Sequence, residues 1–185
     1  SGTTSGTGTA GDPDFKQKIT DRWSELRTNI LGGSNVLARI DEIAAYLNEA
    51  QVRDFAKYPR LGSYVWPNPN GAGGGWHVDY VTPRDFAGII TQMKKWVLGR
   101  FNWIDSQVLK SPAFNLNGGL VPAGFNLTIS APAGTIYYTL DGTDPRLPGG
   151  AVSPSARVYG STISVDANAR AFARAKTTAA WSGPA

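Results

Sequence analysis

Apolar residues recur at helical spacing in the first part of the chain. Asp12 suits a helix cap and Pro13 a first turn. After them, apolar side chains follow at steps of three and four residues, at Phe15, Ile19, Trp23, Leu26 and Ile30. The pattern predicts a helix that ends near Gly32 and Gly33.

Two further stretches show the same periodicity. A second helix is predicted to begin near Ser34 or Asn35. It either continues towards Pro59 or is followed by a separate third helix that ends before this proline. A long helix of about 25 residues is predicted after Thr82, Pro83 and Asp85, which resemble a helix start. Its apolar stripe consists of Phe86, Ile89, Ile90, Met93, Val97, Phe101, Ile104 and Val108.

The pattern changes after Pro112. Thr, Val, Ile, Tyr, Ala and Gly become frequent, with turn residues every eight to twelve positions, which is typical of short strands. Five strands are predicted at 125–130, 135–140, 157–158, 162–165 and 169–176, with a last short edge near Trp181. These lengths favour a compact sandwich.

The predicted fold class is therefore α+β. A helical segment with three to four helices precedes a small all-β sandwich of immunoglobulin or fibronectin type. The predicted domains are a Gly/Ser/Thr-rich linker or tail at 1–11, the helical segment at 12–111 and the sandwich at 112–185.

Composition excludes several kinds of site. The chain has no cysteine, so it has no disulfide, thiolate metal site or cysteine nucleophile. The chain has no run of about 18 apolar residues, which is the length needed for a helix to span a membrane. The net charge of +4 is spread out, and Lys94 and Lys95 are the only adjacent basic pair, so we expect no nucleic-acid partner.

The β segment resembles a known family. The run GTIYYTLDGTDPR from Gly134 is followed by LPGGAVSPSARVYG, by ARAFARAK and by WSGPA at the end of the chain. In this order, they resemble the chitobiase/β-hexosaminidase carboxy-terminal domain, over 112–185. The resemblance implies a small immunoglobulin-like sandwich appended to a bacterial secreted protein.

The helical segment resembles the carboxy-terminal part of the CotH family of spore-coat kinase-like proteins. The resemblance rests on DPDFKQKITDRWSELR from Asp12 and on KKWVLGRFNWIDSQ from Lys94. The family's nucleotide- and metal-binding acidic residues would lie before Asp12, in sequence that this chain does not contain. Kinase activity is therefore carried over to no residue of the chain.

A Gly- and Pro-rich loop at 61–81 contains the candidate ligand-binding residues. Flat aromatic rings beside polar groups are suited to binding sugars, although aromatic residues in long loops also pack against helices. The candidates are Tyr64, Trp66, Trp76, His77, Asp79 and Tyr80. His77 is the sole histidine, so a histidine-pair metal site is excluded.

The acidic residues suggest structural roles. Asp141 and Asp144 flank Gly142 in a predicted turn, where a calcium loop would need more oxygen ligands than two carboxylates supply. Asp21 and Glu25 are predicted to lie on a solvated helix face. Tyr137 and Tyr138 should point to opposite faces of one strand, with one of them in the core, and Phe172 and Trp181 are its expected core partners.

These observations predict non-catalytic structural or interaction modules of a bacterial extracellular or cell-surface protein, acting in spacing, adhesion or assembly. One alternative is a carbohydrate-binding accessory module, and another is the distal part of a CotH-like kinase. We expect no catalytic residue, cofactor or metal. The expected partners are a surface glycan or other protein subunits, with self-assembly through the amino-terminal tail along a sandwich edge.

Overall fold

The structure is a computed structural model that describes residues 12–63 and 83–185. Its described part has the predicted α+β fold, with helices followed by small antiparallel sheets. The helices are α1 (Pro13–Thr28), α2 (Gly33–Tyr46), α3 (Asn48–Lys57) and α4 (Phe86–Gln107). In this part of the chain, no helix has both the length and the apolar content needed to cross a membrane.

The helices α1 and α4 begin at local side-chain caps. Asp12 accepts a hydrogen bond from the backbone N–H of Asp14 at 2.9 Å, and Pro13 lies in the first turn, as predicted. Asp85 accepts a hydrogen bond from the N–H of Gly88 at 2.6 Å. Asp85 therefore caps α4, which begins at Phe86, whereas the sequence predicted Thr82 as the capping residue.

The β domain contains seven short strands between residues 113 and 176, all of which the structure describes. They are β1 (Ala113–Phe114), β2 (Phe125–Leu127), β3 (Ile129–Ser130), β4 (Thr135–Thr139), β5 (Arg157–Val158), β6 (Ile163–Val165) and β7 (Phe172–Lys176). The predicted strand at 125–130 is divided at Thr128, because β2 pairs with β6 whereas β3 pairs with β1. The strand β1 was not predicted.

The largest sheet has the order β5-β4-β7, with both pairs antiparallel. Tyr138 of β4 is buried with Ile129 and Ala173 in the core. Tyr137 points to the other face, where its ring centroid lies 5.5 Å from that of the buried Trp181. The predicted opposition of the two tyrosines is confirmed.

The last five residues run along the outer side of β7. The backbone N–H of Ala173 donates to the carbonyl of Ala185 at 3.1 Å, and Ala185 returns a bond to Ala173 at 2.9 Å. The N–H of Ser182 donates to the carbonyl of Ala175 at 2.8 Å. This segment therefore supplies hydrogen-bond partners to the edge of β7, which would otherwise present unpaired backbone groups.

The chain forms two compact units. The first comprises Ser1–Asn29 and Asp105–Ala185, so that α1 belongs with the β domain, and the second comprises Ile30–Ile104. Within the second unit, Lys94 of α4 forms an ion pair with Asp41 of α2. The domain boundaries predicted from the sequence stay a prediction. The helix α1 is grouped with the β domain because of the contacts described below.

Candidate functional site

The first unit is centred on a buried arginine. Arg174 lies on β7, and only 4% of its side chain is exposed. Its Nε and Nη2 donate to the two carboxylate oxygens of Asp144, at 2.8 and 2.7 Å. Its Nη1 and Nη2 donate to the two oxygens of Asp21 in α1, at 2.6 and 3.0 Å. A further bond from Nη1 reaches the carbonyl oxygen of Ser182 at 2.8 Å.

The buried charge of Arg174 is fully matched. A guanidinium carries five N–H donors, and these five hydrogen bonds can use all of them. Burial acts most strongly on its pKa and lowers it, but hydrogen bonds to Asp21 and Asp144 outweigh burial, so the pKa is raised. The guanidinium therefore stays charged, as a buried ion must when its neighbours are carboxylates.

The turn after β4 holds Asp144 in place. Asp141 accepts hydrogen bonds from the N–H and Oγ1 of Thr143 at 2.9 and 2.6 Å, and these bonds lower the pKa of its carboxyl group. Asp144 accepts a bond from the N–H of Arg146 at 2.9 Å. Asp141 thus stabilises the turn, and both oxygens of Asp144 accept hydrogen bonds from Arg174. Both carboxylates accept hydrogen bonds from protein groups, which supports a structural role for the turn, and the expectation that it binds no calcium stays a prediction.

A second contact joins the same turn to the start of α1. Arg146 Nη2 lies 2.6 Å from Oδ1 of Asp14, and the backbone N–H of Gly149 is 3.0 Å from both oxygens of that carboxylate. The hydrogen bond from Arg146, followed by that from Gly149, lowers the pKa of Asp14. The loop that contains Arg146 and Gly149 therefore binds the first turn of α1 through Asp14.

The face of α1 that meets the β domain is polar. Asp14, Gln17 and Asp21 are spaced by three and four residues, which places them on one face of the helix. Gln17 is 8% exposed, and its Nε2 donates to the carbonyl of Ser182 at 2.9 Å and to Asp21 at 2.7 Å. In contrast, Phe15 and Ile19 are 63% and 52% exposed.

The predicted solvated face for Asp21 and Glu25 is therefore wrong for Asp21. Its carboxylate binds a buried arginine that lies 153 positions later in the chain, and no local pattern could indicate this. Glu25 does lie at the surface, where it forms an exposed ion pair with Arg22 at 2.8 Å.

The other end of α1 contacts Asp105, near the end of α4 and within the first unit. Trp23 Nε1 donates to Asp105 at 2.8 Å, and Arg27 Nη2 reaches its other oxygen at 2.8 Å. The hydrogen bond from Arg27 is the main reason why the pKa of Asp105 is lowered. Three carboxylates thus fix α1 along its length.

Gly183 allows the carboxy-terminal segment to approach α1 closely. A Cβ atom at this position would collide with Oγ and Cβ of Ser24, the latter at 2.6 Å, and would lie 2.8 Å from Oγ of Ser111. Such distances are shorter than any ordinary van der Waals contact. The absence of a side chain at Gly183 is therefore a condition for the observed packing of α1.

The candidate residues predicted in the aromatic loop lie outside the described residues. They are Tyr64, Trp66, Trp76, His77, Asp79 and Tyr80. Their role in ligand binding stays a prediction, as does the role of the amino-terminal tail in assembly. Within residues 12–63 and 83–185, no three His, Cys, Asp or Glu side chains come together to hold a metal ion.

We call the contacts of α1 with Arg146, Gly149, Arg174 and Ser182 the junction. Asp21 and Asp144 were assigned other roles from the sequence, and neither arginine was singled out from it. Arg174 stands between Ala173 and Ala175, and all three are buried. A charged residue between two small apolar neighbours in a strand was the one available signal, since a buried charge requires a partner. Its partner on α1 could not be read from the pattern.

Part of the β domain matches a known family model. Residues 125–180 match the family model described as Fn3 associated. No curated protein and no solved structure matches the chain. The matched residues include Asp144 and Arg174 and support an Fn3- or immunoglobulin-like associated domain. They stop before Ser182 and do not include α1.

Proposed function

We propose that this chain supplies non-catalytic structural modules to a bacterial extracellular or cell-surface protein, and that its first unit is a junction that fixes the β domain to α1. The proposal rests on one observation above all: Arg174 bonds Asp144, within the β domain, and Asp21, on α1. These charged groups already hydrogen-bond each other within the protein, whereas a catalytic acid or base must be able to contact a substrate.

The Fn3-associated match supports an accessory role. The resemblances to the chitobiase carboxy-terminal domain and to the CotH family support a bacterial secreted or surface protein as the parent. A module of this kind holds other domains at a distance or presents them to a partner. For this purpose α1 must stay attached to the β domain in the unmodified chain, which makes the junction the functional part of the unit.

Hydrogen exchange followed by mass spectrometry tests the junction. If α1 and the β domain form one cooperative unit, backbone amides of Pro13–Thr28 and Phe172–Lys176 should open with the same free energy at each urea concentration. The helix α3, in the other compact unit, is the internal reference. Exchange of the α1 amides through a separate, lower-energy opening would contradict the proposal.

Two simpler assays address the other parts of the proposal. Incubation with Mg²⁺ and ATP, or with chitin oligosaccharides, should give no phosphate transfer and no hydrolysis product by mass spectrometry. Protease treatment of intact cells of the source bacterium should release peptides of this chain if it is displayed at the surface. Reproducible phosphate transfer would favour the CotH-like kinase alternative.

A further inference from the structure

We infer that the β domain is a receptor for a helix with one acidic face, called the acidic helix below, and that α1 from a second copy of this chain can occupy it in place of the chain's own α1. The inference rests on the proposed junction role and names its partner. The recognised chemistry is a helix with two carboxylates two turns apart and an amide between them. In α1 these groups are Asp14, Gln17 and Asp21.

The receptor is prepared within the β domain itself. Three of the five hydrogen bonds of Arg174 go to Asp144 and to the carbonyl of Ser182, and neither partner belongs to α1. These bonds orient the guanidinium before a helix arrives. The remaining two bonds, from Nη1 and Nη2, hold both oxygens of one external carboxylate.

A second binding point fixes the direction of the helix. Arg146 and the N–H of Gly149 receive Asp14, while Arg174 receives Asp21. The two aspartates are seven residues apart, which corresponds to about 10.5 Å along a helix. Between them, the carbonyl of Ser182 accepts a bond from Gln17. Two positive sites therefore match two negative ones across this surface.

The same contacts can be made between two copies. The buried residue of α1 is polar, Gln17, and Phe15 and Ile19 are already exposed. Trp23 and Leu26 are only half-buried, so release of the helix uncovers part of its apolar surface and no fully buried apolar side chain. Exchange of an identical element adds no new contact, so only the effective concentration of the attached helix favours binding within one chain. The intact protein should therefore use its own α1 at low concentration.

A complementation experiment with full-length chains removes that advantage. The first variant, Asp14→Lys with Asp21→Lys, keeps the receptor but loses the acidic helix. The second, Arg146→Gln with Arg174→Gln, keeps the acidic helix but loses the receptor. We expect each variant alone to be monomeric, and an equimolar mixture to give a heterodimer with about twice the chain mass of 19.7 kDa by light scattering.

The control is a chain that carries all four substitutions, because it has neither an acidic helix nor a receptor. Mixed with the first variant, it should give no heterodimer. If the second variant does not fold, as judged by circular dichroism, Gly183→Val replaces it, since a side chain there displaces α1 and leaves Arg174 unchanged.

A mixture that stays monomeric while the variants are folded overturns the receptor inference. That result is distinct from failure of the proposed junction, which is measured by hydrogen exchange in the unmodified chain. Coupled opening of α1 and β7 together with monomeric mixtures would leave the junction valid within one chain. Heterodimers in the control mixture would also count against the inference, because they would not depend on the acidic helix.

Discussion

Asp21 and Arg174 lie 153 positions apart in the chain, and their side chains meet at 2.6 Å with two hydrogen bonds between carboxylate and guanidinium. This pair joins the first helix to the last strand. Because Asp144 holds the other side of the same guanidinium, the pair also connects α1 to the turn after β4. The predictions below follow from these contacts.

Replacement of Arg174 by Met should destabilise the first unit by about 3 kcal/mol. Removing one partner of a buried ion pair leaves the other partner uncompensated. Asp21 and Asp144 are about one-third exposed and gain some hydration, which places the cost at the lower end of the usual range. Urea unfolding followed by circular dichroism measures the change in free energy.

The matched control is Arg157→Met, because Arg157 is an exposed arginine on the edge strand of the same sheet. Its replacement should change the free energy of unfolding by less than about 0.5 kcal/mol. Equal losses for the two arginine variants would contradict the central role of Arg174.

Replacement of Gly183 by Ala should weaken the packing of α1 by about 1 to 3 kcal/mol, because the added methyl group collides with Ser24 and Ser111. Gly160→Ala is the control: Gly160 has open space around its Cβ position and no positive φ angle. This control should be neutral or slightly stabilising. Hydrogen exchange of α1 in both variants shows whether the loss occurs at the junction.

Substitutions on the two faces of α1 should destabilise the protein to different extents. Gln17→Leu removes bonds to Ser182 and Asp21 at a buried position, and we expect a loss of about 1 to 3 kcal/mol. Ile19→Gln changes a residue that is more than half exposed, and should cost less than about 0.5 kcal/mol. Thermal unfolding of both variants is the measurement. A larger loss for Ile19→Gln would mean that the apolar face has a partner.

Acid should weaken the contact of Asp105 with Arg27. The folded pKa of Asp105 lies below its unfolded value of about 3.9, so its contribution to stability is complete above pH 4 and is lost as the pH falls through the folded value. Asp105→Asn should therefore be less stable than the unmodified chain at pH 7, with a difference that shrinks below pH 4.

Urea midpoints at pH 7, 4 and 3 measure this dependence on Asp105. Glu25→Gln serves as the control, since Glu25 forms an exposed pair with Arg22 and contributes little at any pH. A difference between Asp105→Asn and the unmodified chain that stays constant from pH 7 to pH 3 would contradict the prediction.

Local rules predicted most of the elements. The cap at Asp12, the helical periodicity that follows it and the alternation of Tyr137 and Tyr138 depend on neighbours within a few residues, and each is found in the structure. The break at Thr128 was not predicted, because it results from pairing of β2 with β6 and of β3 with β1. The local pattern of apolar and polar residues does not show which distant strand a segment pairs with.

The junction escaped prediction for a related reason. The apolar spacing that predicts α1 includes Phe15 and Ile19, yet the buried residue of this helix is Gln17. A pattern of hydrophobic residues assumes that the buried face is apolar, and here a buried guanidinium reverses that preference locally. The predicted sugar-binding residues, Trp66 and Trp76 among them, remain to be tested by fluorescence titration with oligosaccharides.

The distance along the chain between Asp21 and Arg174 has a consequence for biosynthesis. At about 5 to 20 residues per second, translation needs roughly 8 to 30 s to make the 153 residues between them. Throughout that interval Asp21 lacks its partner Arg174, although Arg146, the partner of Asp14, is made earlier, and Ser182 is made later still. The helix α1 is therefore made well before the residues that hold it, and it reaches its final place only late in the synthesis of the β domain.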